Sequence, residues 1–208
     1  MTQIAAFVRS RPTIPPVLLA AVLLLLLSGC AVLDRQGDKS SPADGETQST
    51  RAQLNAGYSD LYSNASGLAK VDTLLYVKFE SDDVERVVTE MTDYCAALAQ
   101  RLEALAADYP ALDLHQQVDP PIIKAARDAQ KKANLKRFAP VVGDSGTAFE
   151  RGLLIRLLGA ADQQHYMAAT LAEREPNPAL SKIMAETGER FAGFYDEIDR
   201  LLKARFYR

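Results

Sequence analysis

The chain has no tryptophan, only two histidines and only two cysteines in 208 residues. Cys30 and Cys95 cannot build a disulfide framework, so whatever folds here is held by packing. With His115 and His165 as the only imidazoles, no haem site or zinc cluster can be assembled from His and Cys. A Gly-x-Ser-x-Gly elbow is missing, and Gly143-Asp144-Ser145-Gly146 is too common a turn to stand in for a strained hydrolase nucleophile. No stretch sustains the alternation of β-branched and polar residues that strands need. There is no internal repeat. Residues 1–29 hold two arginines and no acid, so the chain from Cys30 onward carries 22 basic against 27 acidic side chains, a formal charge of −5. That balance excludes a general nucleic-acid binder.

The N-terminus is the most specific segment. Its only charges are Arg9 and Arg11; an apolar run from Val17 to Leu27 follows, and then Leu27-Ser28-Gly29-Cys30. Small residues at 28 and 29 let a peptidase approach the backbone, Leu27 fills an apolar pocket, and the Cys30 thiol can accept a lipid. An ordinary secretory signal or an uncleaved anchor would be the alternatives. The stretch from Pro12 to Cys30, with its prolines, has the build of a signal peptide rather than of a spanning helix of about 20 apolar residues. The layout resembles the lipobox of bacterial lipoprotein precursors. That resemblance implies a signal peptide over 1–29, cleavage between Gly29 and Cys30, and acylation of the Cys30 sulfur, palmitate being the expected kind of chain. It also implies an address: Ala31, where an Asp would favour inner-membrane retention, points to the outer membrane facing the periplasm, or to the outer face of the plasma membrane in an organism with one membrane.

Residues 31–50 turn abruptly polar and small, which predicts a flexible tether over 30–50. As a random chain of about 20 residues it would span roughly 25 Å, and no more than about 70 Å when fully extended. The remaining 158 residues, 51–208, suffice for one domain with a real core.

Periodicity across that domain is helical. Leu54, Tyr58, Leu61, Ala65 and Leu68 step by 4, 3, 4, 3. Val84, Val88, Met91, Cys95, Leu98, Leu102 and Leu105 continue the alternation, as do Leu180, Met184, Thr187, Phe191, Phe194, Ile198 and Leu201. Phe149 to Ala172 carries a wider apolar face that suits a helix touching neighbours on two sides. Ser81 with Asp82, Asp83 and Glu85 marks one helix start, Tyr109-Pro110 its end, Asp119-Pro120-Pro121 the start of a shorter helix reaching about Phe138, and Asn177-Pro178 the start of the last. The expected fold is all-α, an up-and-down bundle of four to five amphipathic helices. A long dimeric coiled coil fits less well, because the proline-bounded breaks and the wide face contradict a narrow seam. The helix pattern loosely resembles ferritin-like helical-bundle envelope proteins of unknown function. The Glu-x-x-His pairs of di-iron bundles are missing, so the likeness implies a fold and no site.

Two places remain as candidate sites. Asp162-x-x-His165 puts two possible metal ligands one turn apart, with Glu150, Gln164 and Tyr166 as possible helpers, and His165 falls in the apolar series Leu154, Leu158, Ala161, His165, Ala168, which predicts that it points inward; the plainer reading of His165 is a core-edge imidazole bonded to Asp162 or Gln164. Lys124, Arg127, Lys131, Lys132, Lys136 and Arg137 crowd the third helix with only Asp128 opposing them. This face could meet anionic lipid headgroups or an acidic partner; otherwise it is solvated and partly paired with the acidic start of the second helix, Glu80, Asp82, Asp83, Glu85, Glu90 and Asp93. Cys95, inside a heptad series, is expected to be a small buried hydrophobe. No catalytic constellation and no cofactor is expected. The sequence therefore predicts a membrane-anchored envelope lipoprotein whose bundle binds or scaffolds an envelope protein or cell-wall partner without catalysis, with small-ligand or metal binding at Asp162/His165 as the alternative.

Overall fold

The computed structural model describes residues 42–71, 81–116, 119–138 and 145–207, with 42–47 described by backbone alone. The expected signal segment, Gly29 and Cys30, the expected tether up to residue 41, and Glu80 lie outside the described residues. Five helices follow one another: α1 Pro42–Leu68, α2 Asp82–Asp108, α3 Pro121–Arg137, α4 Gly146–Arg174 and α5 Pro178–Phe206. No strand occurs among the described residues, and no helix among them is long and apolar enough to cross a membrane.

Four of the helices enclose the core. Helix α1 lies between α2 and α4, and α5 closes the ring by packing on both α4 and α2. The polar contacts between helices give the directions. Asn55, midway along α1, donates to the Ala111 carbonyl just past the end of α2, and Tyr62, further along α1, donates to Glu103 inside α2, so α1 and α2 are antiparallel. Arg51 reaches Glu175 at the end of α4, which makes α1 and α4 antiparallel as well. Arg86 and Asp83 at the start of α2 meet Glu197 and Arg205 late in α5. In chain order the four helices thus run up, down, down, up, so that neighbours around the ring are antiparallel, and the segment carrying α3 is the long crossover that returns the chain to the far end, a recognised way of connecting a bundle.

The heptad positions fall where the spacing puts them. Tyr58, Leu61, Ala65, Val84, Val88, Met91, Cys95, Leu102, Phe191, Phe194 and Ile198 are fully buried. The wide face of α4 buries Phe149, Leu153, Leu154, Leu157, Ala161, Ala168 and Leu171, as a helix with neighbours on two sides requires. Aromatic rings fill the α2–α5 seam: Tyr94 stands edge-on to Phe191 at 5.5 Å. Gly57 allows α1 to close on α4, since a Cβ there would lie 2.9 Å from Leu171 Cδ2. Asn177 caps α5 by accepting from the amides of Ala179 and Leu180, with Pro178 next, as its sequence announces.

Four details depart from the sequence reading. Helix α1 begins at Pro42, so residues 42–50, expected in the tether, belong to the first helix and the domain starts before Arg51; proline is well placed at a first helical position. Ser81 flanks α2 without capping it through its side chain; its hydroxyl donates to Glu150 Oε2 at 2.9 Å instead. Late in α5 it is Leu202 that is buried, with Leu201 at the margin. In α4 the inward position belongs to Gln164, 1 % exposed, and His165 sits at the edge, because steps of 4 and 3 from Leu157 through Ala161 reach 164 and then Ala168 rather than 165.

Candidate functional site

Helix α3 has no buried residue. A typical surface helix directs its apolar stripe inward; this one is held to the body by its polar side. Arg127 bonds Asp60 of α1 at 2.9 Å and Asp119 at 3.0 Å, and just beyond the helix Phe138 is buried edge-on against Phe149 of α4, with ring centroids 5.8 Å apart. The loop leading into it is anchored too. Ser59 of α1 donates to the Asp113 carbonyl and accepts from the Gln116 amide, and Leu112 and Leu114 are buried. His115 is exposed and stands edge-on to Tyr62.

These attachments fix the orientation of the basic face. Lys124 pairs with Asp128 on its own helix at 2.8 Å. Lys131, Lys132, Lys136 and Arg137 are exposed, and among the described residues none has an ion-pair partner. Two of the acids of α2 are engaged elsewhere: Asp83 bonds Arg205, and Glu90 meets Arg86 and Arg190. The pairing between α3 and the acidic helix that would make this face unremarkable is not formed among the described residues. Ile122 is 75 % exposed, and Ile123 and Leu135 are exposed beside the cations. These four cations, with apolar side chains in water beside them, give a positive amphipathic surface on a domain of net negative charge.

The Asp162/His165 pair is dispersed. Asp162 is exposed, whereas His165 turns to α5, its Nδ1 2.9 Å from the Gly188 carbonyl oxygen. A carbonyl only accepts, so Nδ1 carries the proton in this contact. Tyr166 packs edge-on to the imidazole at 4.7 Å. At Gly188 α5 lies close to α4: a Cβ there would be 3.4 Å from the His165 carbonyl oxygen and from the Ala169 amide nitrogen. Glu150, one of the proposed helpers, is buried, accepts a hydrogen bond from Ser81 and lies 3.7 Å from Arg205. Gln164 is buried with its Oε1 unbonded. Among the described residues no three His, Cys, Asp or Glu side chains converge as a metal site requires. Cys95 is fully buried, and burial pushes its thiol up to about 12.

Sequence reasoning missed the strongest polar cluster. Glu175, at the end of α4, has a fully buried side chain. Its carboxylate accepts two bonds from Arg51, at 2.8 and 3.0 Å, one from Tyr58 Oη at 3.1 Å, and one from the Asn177 amide at 3.1 Å. Burial pushes the carboxyl up, but Arg51, the Asn177 N–H and Tyr58 together outweigh it and hold Glu175 below the usual carboxylate range. Burial, together with the negative charge of Glu175, drives the Tyr58 hydroxyl well above its ordinary value. The cluster is saturated by its own members and pins α1 to the α4–α5 corner. Comparison with family models, curated proteins and solved structures yields no match to this chain.

Proposed function

We propose that this chain is a lipid-anchored envelope protein, held by Cys30 and acting as a non-catalytic binding or scaffolding module. The observation that carries the binding role is α3: alone among the helices it contributes nothing to the core and displays cations and apolar side chains together. The lipobox-like Leu27-Ser28-Gly29-Cys30 supports the anchor. Two or more acyl chains hold a protein on a bilayer where one binds reversibly, and a tethered domain meets its partner at high effective concentration. Ala31 supports an outer-membrane address. The other reading, a metal or small ligand at Asp162 and His165, has less support, because His165 already bonds the α5 backbone and Asp162 points to water.

Crosslinking in intact cells followed by purification under denaturing conditions tests the binding role. An envelope component should be recovered with the native chain and lost when Lys131, Lys132, Lys136 and Arg137 are replaced by Glu; equal recovery with that variant would remove α3 from the binding role. Metal analysis of the purified protein addresses the other reading, for which a stoichiometric metal lost in His165→Ala is required.

A further inference from the structure

The direction in which α3 faces sets the chemistry of what it meets. At about 100° per residue, Arg127 and Phe138, the two attachments to the body, fall on one side of the helix. Ile122, Ala126, Ala129 and Ala133 repeat at steps of 4, 3 and 4 and fall on the other side, and all four are exposed. Lys132 and Lys136 border this stripe on one flank and Arg137 on the other, each exposed. We propose that α3 is a membrane-contact helix, laid by this outward Ile/Ala face and its flanking cations on anionic lipid headgroups. The inference rests on the anchored-module reading and names the surface that the module meets.

Three features favour a lipid surface over an acidic protein. Protein interfaces draw their affinity from large anchors such as Trp, Tyr and Arg seated in pockets, and this stripe offers one isoleucine among alanines. A shallow apolar strip with basic residues along its borders is instead the build of a helix that lies in the plane of an interface, with lysine and arginine stems spread over the apolar boundary and their charges among the headgroups. Such a strip is too small to bind neutral lipid tightly, so attraction to anionic headgroups must supply the rest. Reach permits the contact as well: Cys30 lies 12 residues before the start of α1 at Pro42, a span of no more than about 40 Å, so a lipid on Cys30 keeps α3 within range of the same bilayer.

The absence of tryptophan makes the test clean. Full chain isolated from bacterial membranes is prepared as Ala129→Trp, with the reporter on the outward stripe, and as Gln163→Trp, with the same reporter on an exposed face of α4. Each is mixed with vesicles of phosphatidylcholine and with vesicles of equal parts phosphatidylcholine and phosphatidylglycerol. At low salt on the anionic vesicles the Ala129→Trp emission should shift to the blue and lose most of its quenching by acrylamide. High salt should reverse both effects, and Gln163→Trp should show neither. Adding Lys132→Glu, Lys136→Glu and Arg137→Glu to Ala129→Trp should abolish the response while far-ultraviolet circular dichroism stays unchanged. An unaltered Ala129→Trp spectrum on anionic vesicles, an equal shift on neutral ones, or a shift that survives the three glutamates would overturn the proposal, the first outcome leaving the face to a protein. The anchor is read separately, from flotation with neutral vesicles. Failure to float would refute acylation and leave the response of α3 to anionic lipid standing by its own readout.

Discussion

At the scale of single residues, stability concentrates where a polar group has been taken out of water and fully supplied with partners. Glu175 is the clearest case: with its side chain buried, the Arg51 guanidinium, the Tyr58 hydroxyl and the Asn177 amide replace its hydration. Removing one member of a buried pair leaves the other charge uncompensated. Arg51→Ala should therefore cost about 3 kcal/mol, at the low end for buried pairs because the Arg51 side chain is 24 % exposed; a change in urea midpoint within error would show that the cluster does not pin α1. The carboxyl of Glu175 is held down in the folded state. Its contribution is therefore complete above the unfolded value of about 4.3 and is lost as pH falls through the lower folded value. Glu175→Gln should accordingly flatten the loss of stability in that acid window, and an unchanged slope would contradict the assignment. Cys95 gives a third check. A fully buried thiol pushed up to about 12 should react with a disulfide reagent only as fast as the core opens, and rapid labelling of the native protein would place it at the surface.

At the scale of elements, alternating steps of 3 and 4 were enough to read α2 and α5, where Leu98 and Phe191 occupy the buried positions the spacing indicates. Replacing either with Ala should cost about 2 to 5 kcal/mol through lost transfer energy and the cavity left behind; a negligible shift in melting temperature would overturn the register. Helix α4 was harder to read. Its wide apolar face leaves the azimuth of the helix open by one residue, and that one residue decides whether Gln164 or His165 points inward. Packing against α5 settles it: at Gly188 the α5 backbone lies close to α4, and its carbonyl is within hydrogen-bond reach of His165 Nδ1. A leucine at 188 should cost about 1 to 3 kcal/mol by forcing the two helices apart. In α3, Ile122, Ala126, Ala129 and Ala133 have the spacing of a core stripe yet are exposed, and the helix is oriented by its long-range partner Asp60 and by the packing of Phe138 on Phe149. No local pattern carries that information. The Arg51–Glu175 pair, 124 residues apart in sequence, was invisible for the same reason.

At the scale of the whole molecule, two surfaces of different character are joined in one chain. The ring of α1, α2, α4 and α5 is a packed scaffold with satisfied corners, and α3 is the crossover that the scaffold holds away from its core. Its exposed cations should be dispensable for folding: Lys131→Ala with Lys132→Ala should leave stability within about 0.5 kcal/mol, so that any loss of binding in such a variant reports contact rather than unfolding. On the proposed reading, a lipid on Cys30 of the segment Leu27-Ser28-Gly29-Cys30 would keep this displayed face beside its target. The most direct test of that account is labelling of growing bacteria with a clickable fatty acid, followed by membrane fractionation of the native chain and of Cys30→Ala. The account predicts a labelled protein in the membrane fraction, and neither label nor membrane retention of a processed chain once Cys30 is replaced. An unlabelled native chain, or label that persists on Cys30→Ala, would contradict it.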